Sequence, residues 1–231
     1  MYQLYIANKN YSSWSLRPWV LMRELGIAFE EHLLPFGEAP IWQAYRRGIC
    51  PSGKVPCLVD GGTAVWDSLA IAEYLAERHA GVWPAEAAAR AWARSAAAEM
   101  HSGFTELRAS CSMSCGVRVR LREFPPALTR DLGRLGELWH EGLRRFGGPF
   151  LAGAQFTAAD AFYAPVAFRI QTYALTLAGD AGAYAGRLLA LRSMQTWYAD
   201  ALAETLRDPP HDAEVLRIGS LLQDLRGARM Q

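Results

Sequence analysis

An excess of charge of either sign is missing from this 231-residue chain: 24 Lys and Arg stand against 23 Asp and Glu, a formal net charge of +1. That balance is too even to supply the phosphate-neutralising surface on which nucleic-acid binding rests, so the expected partner is a small molecule or another protein. Long apolar runs are missing as well. No stretch approaches the ~18 residues of a membrane span, and the start alternates Tyr2, Leu4 and Ile6 before turning polar at Asn8, Lys9 and Asn10, unlike a secretory signal. Neither a membrane protein nor an exported one is expected. Cysteine is scarce: Cys50, Cys57, Cys111 and Cys115 resemble no disulfide framework, which makes the cytoplasm the expected compartment. Cys111 and Cys115 lie one helical turn apart, but no second Cys or His pair at zinc spacing accompanies them, so no metal is expected. Internal repeats are absent, and there is no low-complexity tract beyond alanine richness.

What is present is an ordinary globular balance, 51% hydrophobic and 20% charged, enough to build a core. The first part alternates strand and helix patterns. Tyr2 to Ile6 has a period of two; Trp19, Val20, Leu21 and Leu25 fall at helical spacing up to Gly26; Phe29 to Leu34 returns to a strand. The segment from Ile41 to Arg47 is ambiguous. Val55 to Val59 and Ala64 to Trp66 flank Asp60, Gly61 and Gly62, a hairpin by composition, and Ser68 to His79 closes as a helix. A βαβ start followed by a hairpin and a helix makes a small mixed sheet with helices on its faces. From Gly81 onward strand signals vanish. Val82, Trp83 and Pro84 read as a linker, and an alanine-rich helix is expected from about Glu86 to Ser110. A stripe from Leu128 through Trp139 to Phe146 stops at Gly147, Gly148 and Pro149, Thr157 and Asp160 make a capping-box variant, and a last helix is expected over Tyr184 to Leu206.

Three segments carry possible chemistry. Tyr11, Ser12, Ser13, Trp14 and Ser15 form a polar turn between the first strand and first helix, where free N–H groups and the positive dipole end favour an anion such as a thiolate; alternatively, Ser15 only caps the helix. Lys54, Val55 and Pro56 follow a loop of Pro51, Ser52 and Gly53. A cis Val55–Pro56 bond would turn the valine N–H and C=O outward to pair with an extended peptide, whereas a trans bond would make an ordinary strand edge. Asp67 and Ser68 sit at the start of a helix, where the serine and first-turn amides suit a carboxylate and the aspartate an ammonium; as a bland reading, the pair is a cap. Ser12 to Ser15 reads Ser-x-x-Ser, which removes the dithiol that thiol–disulfide exchange needs. Cys57 is either a mixed-disulfide site or a small buried apolar residue.

In this order, Ser12-Ser13-Trp14-Ser15-Leu16-Arg17, Lys54-Val55-Pro56-Cys57-Leu58-Val59, Asp67-Ser68-Leu69-Ala70-Ile71-Ala72-Glu73-Tyr74-Leu75 and Thr157-Ala158-Ala159-Asp160 resemble the cytosolic glutathione transferase superfamily over essentially the whole chain. The resemblance implies an α/β plus all-α fold: a thioredoxin-like glutathione-binding domain over residues 1–80 and an all-helical domain over 86–231 that lines the electrophile site. It implies glutathione as co-substrate, a small electrophile and a homodimer. It puts Val55, ahead of a cis Pro56, on the cysteinyl backbone of glutathione, with Lys54 beside it, and Asp67 and Ser68 at the γ-glutamyl end. Ser12 would activate the thiol, with Ser13 and Tyr11 as rivals.

The serine pair looks most like the zeta class, with Trp14 where that class has cysteine. The zeta arginine that grips a substrate carboxylate falls near Thr172, with Arg169 as a possible substitute. Maleylacetoacetate-type isomerisation is therefore an alternative, and so is a non-catalytic glutathione-binding or protein-interaction module. For the electrophile site the candidates are Tyr11, Trp14 and Arg108. Arg108 is expected to share a face of the long helix with His101 and Thr105, and the competing reading is a solvated face or an interhelical salt bridge. Arg118, Arg120 and Arg122 read as a basic loop.

Overall fold

The computed structural model describes residues 1–227. Strand β1 (Tyr2–Ile6), helix α1 (Ser13–Glu24), β2 (Phe29–Leu33), α2 (Ala39–Gly48), β3 (Cys57–Asp60), β4 (Thr63–Trp66) and α3 (Ser68–Ala76) make a thioredoxin-like unit. The sheet runs β2-β1-β3-β4, with β1 parallel to β2 and the pairs β1/β3 and β3/β4 antiparallel. Alternation in β1 places Leu4 and Ile6, both fully buried, on the face covered by α1 and α3, where Leu16, Val20, Ile71 and Leu75 meet them. The hairpin turns at Gly61, which has φ 58°, a left-handed conformation that glycine adopts without strain. The ambiguous Ile41 to Arg47 segment is helical. Of its residues only Tyr45 is buried, which is why its periodicity is weak.

The second part is built around α7 (Ala158–Tyr173), nearly every residue of which is buried. Around it stand α4 (Ala87–Ser102), α5 (Thr105–Ser110), α6 (Pro126–Phe146), α8 (Gly179–Leu189), α9 (Arg192–Ala203) and α10 (Pro209–Ile218). The capping box of Thr157 and Asp160 opens α7, and the buried Leu128, Leu132, Leu135 and Trp139 of the expected stripe join the same core from α6, which packs on α5 and α8 while Trp139 meets Tyr163 of α7 edge-on. Helix α1 packs on α7, joining the two halves in one core.

Three expectations are corrected. The helix expected over Glu86 to Ser110 breaks at Gly103 and Phe104, where Phe104 takes φ 53° and buries its ring against Tyr163. The helix expected over Tyr184 to Leu206 is two helices, parted where Leu191 turns extended, and it ends at Ala203. Strands do not vanish after Gly81: β5 (Val117–Leu121) pairs antiparallel with β6 (Gly219–Asp224). Val117 and Val119 are buried while Arg118 and Arg120 alternate with them, so the basic run is a strand rather than a loop. At Gly219 a Cβ would lie 2.3 Å from Val119 Cγ1 and 2.7 Å from the Arg120 carbonyl oxygen, a crossing only glycine permits.

Candidate active site

Helix α1 begins with two amides, those of Trp14 and Ser15, that have no acceptor among the described residues, because the Ser13 N–H is spent on the Tyr11 carbonyl. Ser12 is the N-cap residue, yet its side chain does not cap. Its hydroxyl instead lies 2.7 Å from the hydroxyl of Ser15, which itself accepts the Ala7 N–H at 3.2 Å. Ser15 therefore does not cap α1 as the bland reading had it; it ties the turn to the end of β1. Ser12 and Ser13 both line a cleft of about 450 Å³ together with Trp14, Lys54 and Val55.

Tyr11 lines the same cleft, but its hydroxyl is occupied. It donates to Asp212 Oδ1 at 3.0 Å and accepts from Arg226 Nη1 at 3.0 Å. Burial, with the Asp212 carboxylate adding to it, pushes the phenol up to about 12. A phenol so engaged is a poor donor to sulfur, which leaves the serines as the hydroxyls available there.

A second cleft of about 650 Å³ shares Trp14, Lys54 and Val55 with the first and adds Ser52, Pro56, Trp66, Asp67 and Ser68. The Val55–Pro56 peptide is cis, and neither the N–H nor the C=O of Val55 has a hydrogen-bond partner among the described residues. Lys54 is exposed, and its carbonyl accepts the Tyr45 hydroxyl, which fixes the loop. Asp67 takes φ 75°, strained for a residue with a Cβ. One carboxylate oxygen caps α3 through the Leu69 N–H at 2.8 Å; the other lies 3.5 Å from His101 Nε2. One oxygen of Asp67 is thus a cap, as the bland reading had it, and the other lies beside His101. Ser68 is buried, and its hydroxyl accepts from Arg17 Nη1 at 3.3 Å.

Arg17 was quoted in the serine motif without a role. Its guanidinium is buried, with Trp14 at 4.1 Å and Phe162 at 4.7 Å from its central carbon, and its Nε has no partner. Arg108 also lies over the Trp14 ring, at 4.8 Å. It does not share a helix with His101: α4 ends between them, and Arg108 binds the terminal carbonyls of α4, Met100, His101 and Gly103. It is neither a solvated nor a salt-bridged group. Arg169 is buried, bound to the Cys111 carbonyl, and lines the cleft with Arg108; Thr172 instead points at the Ser114 carbonyl. No carboxylate lies within 4 Å of Arg17, Arg108 or Arg169 among the described residues. Burial lowers all three guanidiniums, Arg169 to about 10, and their mutual repulsion adds to the lowering at Arg17 and Arg169. Of the three, Arg108 and Arg169 line the cleft, where Glu214 also stands, while Arg17 lies behind Trp14 and Ser68 and lines neither cleft.

Cys57 is buried beside Cys50, and burial raises its thiol to about 12, so it behaves as a core residue. Cys111 and Cys115 are buried too, and no metal-holding group of His, Cys, Asp or Glu occurs among the described residues. No described helix is long and apolar enough to cross a membrane. The sequence reading missed α10 altogether, and with it His211 and Glu214 on the cleft wall. Asp208 followed by Pro209 was the available signal, an N-cap residue and a proline at the first helical position.

Comparison with known proteins bears on the fold and the N-terminal part of the chain. Residues 11–78 match the family described as glutathione S-transferase, N-terminal domain. A stretch of 65 residues is 40% identical to dichloromethane dehalogenase of Methylorubrum extorquens, covering 27% of this chain and 23% of that protein; the chain thus spans under a quarter of the length of the curated relative it matches. Among solved structures, glutathione transferase Omega 1C from Trametes versicolor superposes with a TM-score of 0.68 at 20% identity over 98% of both chains. A glutathione transferase homologue from Burkholderia with bound glutathione gives 0.63 at 22% identity over 87% of this chain and 97% of its own. The theta-class enzyme of Xanthomonas axonopodis with glutathione bound gives 0.61 at 23% over 85% and 96%. Residues 11–78 thus resemble the glutathione S-transferase N-terminal domain, and the chain as a whole shares the fold of the solved glutathione transferases.

Proposed function

We propose that this protein is a glutathione transferase in which residues 1–80 bind glutathione and residues 86–231 line the site of a small electrophile. One observation carries the reading: the pocket of Val55, Asp67 and Ser68 opens through Trp14 and Lys54 directly into the cleft that holds Ser12. Val55 would pair with the cysteinyl backbone, and Asp67 and Ser68 would receive the γ-glutamyl ammonium and carboxylate. The sulfur would then lie at the start of α1.

A free cysteinyl thiol titrates near ~8.5 and is only about 3% thiolate at neutral pH. Two features of α1 oppose this. The unpaired Trp14 and Ser15 amides and the helix dipole favour an anion. The Ser12 hydroxyl, which donates to Ser15 in this structure, would turn to donate to the sulfur, while Ser15 stays anchored by the Ala7 N–H. Proximity to an electrophile held in the adjoining cleft completes the activation.

Arg108 and Arg169 on the cleft wall favour an electrophile with an anionic group, and this keeps a zeta-type cis–trans isomerase as the second reading. A homodimer and a cytoplasmic location belong to the same proposal; sedimentation as a monomer at micromolar concentration would remove the first. Calorimetry with glutathione followed by a panel of electrophiles tests the function. Binding with turnover is expected, whereas binding without turnover on any of them would favour a non-catalytic module.

A further inference from the structure

Helix α10 brings an imidazole to the cleft that none of the groups above needs. Asp208, buried at the N-cap of α10, accepts the His211 backbone N–H at 3.3 Å, and its Oδ2 also lies 2.5 Å from His211 Nδ1. The first contact is a cap. The second is a carboxylate–imidazole pair that fixes the tautomer, because Nδ1 must carry a proton to reach a carboxylate. The ring is held by two aromatic residues of the other half of the molecule, with Tyr11 stacked at 5.0 Å and Phe36 tilted against it at 4.9 Å between centroids. Its Nε2 has no hydrogen-bond partner among the described residues, and the side chain is 34% exposed on the cleft wall.

We propose that His211, positioned by Asp208, is the proton donor to the electrophile, which assigns activated alkenes, rather than halides alone, to this cleft. The inference rests on the glutathione transferase reading. His211 lines the cleft of Ser12 and Val55 and not the part of the second cleft that Asp67 and Ser68 line, which puts it on the side of the reacting sulfur rather than of the γ-glutamyl end. The charged groups sharing that wall are Lys54, Arg108, Arg169 and Glu214.

The step balances as an addition. The thiol proton leaves to solvent, the thiolate sulfur bonds to the β-carbon, and the π pair of the alkene moves toward the carbonyl as an enolate. Nε2–H of the imidazolium then gives its proton to the α-carbon, and the imidazole recovers one from solvent. Displacement of a halide needs no such donor, because the leaving group departs with its electron pair.

The test compares benzylideneacetone, an activated alkene, with chlorodinitrobenzene, an aryl halide, as partners for glutathione. In His211→Ala the ratio of alkene to halide turnover should fall at least tenfold, and added imidazole should restore alkene turnover. Asp208→Asn keeps an N-cap residue, so the melting temperature should hold while kcat for the alkene falls severalfold at unchanged KM. Wild-type protein that binds no glutathione overturns both the parent reading and this one. Wild type that conjugates the halide but not the alkene overturns this inference alone, as does His211→Ala losing both electrophiles equally without imidazole rescue.

Discussion

The guanidinium of Arg17 lies 4.1 Å from the ring centroid of Trp14, buried, with a single hydrogen bond to carry it across to Ser68. A buried cation without a counter-ion is costly, and the lowered proton affinity of this group is the signature of that cost. A carboxylate seated at Ser68 would supply the missing charge.

Replacing Arg17 by methionine removes the unpaired charge and keeps most of the volume. The melting temperature of Arg17→Met is expected to hold or rise, while glutathione Kd weakens about tenfold, roughly 1.4 kcal/mol. Calorimetry and a thermal melt on the same sample check both halves. An unchanged Kd would detach Arg17 from the pocket.

Ser12→Ala should raise the thiol pKa of bound glutathione and leave its affinity nearly unchanged. If the hydroxyl supplies about two units, some 2.7 kcal/mol, turnover at neutral pH falls about 25-fold. Ser15→Ala removes the acceptor that competes with sulfur for the Ser12 hydroxyl, so the thiol pKa of bound glutathione should hold or fall rather than rise. Thiolate absorbance titration with glutathione bound reads both. A Ser12→Ala variant with an unshifted thiol would pass the role to Ser13, whose hydroxyl lines the same cleft.

What the sequence made legible follows from what is local. The cis Val55–Pro56 bond, the hairpin at Gly61, the Asp67 cap and the Thr157–Asp160 box are all set within a few residues, and each could be read as a motif. The break at Gly103 and Phe104 was hidden because alanine-rich periodicity continues across it, and a left-handed phenylalanine has no signature of its own. In β5, Arg118 and Arg120 read as a charge run although Val117 and Val119 gave the period of two; the deciding fact was a partner strand about a hundred residues away. The grouping of the buried Arg17 with the cleft-lining Arg108 and Arg169 was illegible for the same reason. Arg17, Arg108 and Arg169 come from α1, α5 and α7, and only the packing of α1 on α7 brings them together.

Asp67 divides its two oxygens between the Leu69 N–H and the side of His101. Asparagine can keep the cap, so Asp67→Asn should melt like the wild type and lose glutathione affinity about tenfold through the missing charge. Asp67→Ala should lose the same affinity and about 1 kcal/mol of stability as well. Equal glutathione affinity in all three proteins would reduce Asp67 to a cap.

Burial holds the His101 imidazole below its ordinary ~6.5, with Arg17 and Arg108 acting the same way and Asp67 opposing them. As pH falls, the unfolded chain takes up the proton first. The stability contributed by a neutral His101 is thus complete above ~6.5 and lost as pH drops through the lower folded value. Thermal melts from pH ~7.5 down to ~5 should therefore fall less steeply in His101→Gln than in wild type. Parallel curves would remove His101 from the linkage.

Asp160 is the other carboxylate whose surroundings decide its role. It is buried and accepts from Leu151 N–H and Thr157 N–H at 2.9 Å, Thr157 Oγ1 at 3.1 Å and the Tyr184 hydroxyl at 2.8 Å. Those donors come from the α7 N-terminus, the segment before it and α8, so one side chain joins three parts of the helical domain. Asp160→Ala strands all four in a dry interior, where an unpaired polar group costs about 1 to 3 kcal/mol. Allowing for relaxation, a total on the order of 4 kcal/mol should lower the melting temperature by roughly 10 °C. Thr157→Ala removes only its own hydroxyl and should cost about 1 to 2 kcal/mol. Neither residue lines the glutathione pocket or its adjoining cleft, so the thiol pKa of bound glutathione should match wild type in both variants. A shifted thiol at unchanged melting temperature would instead connect this network to the chemistry.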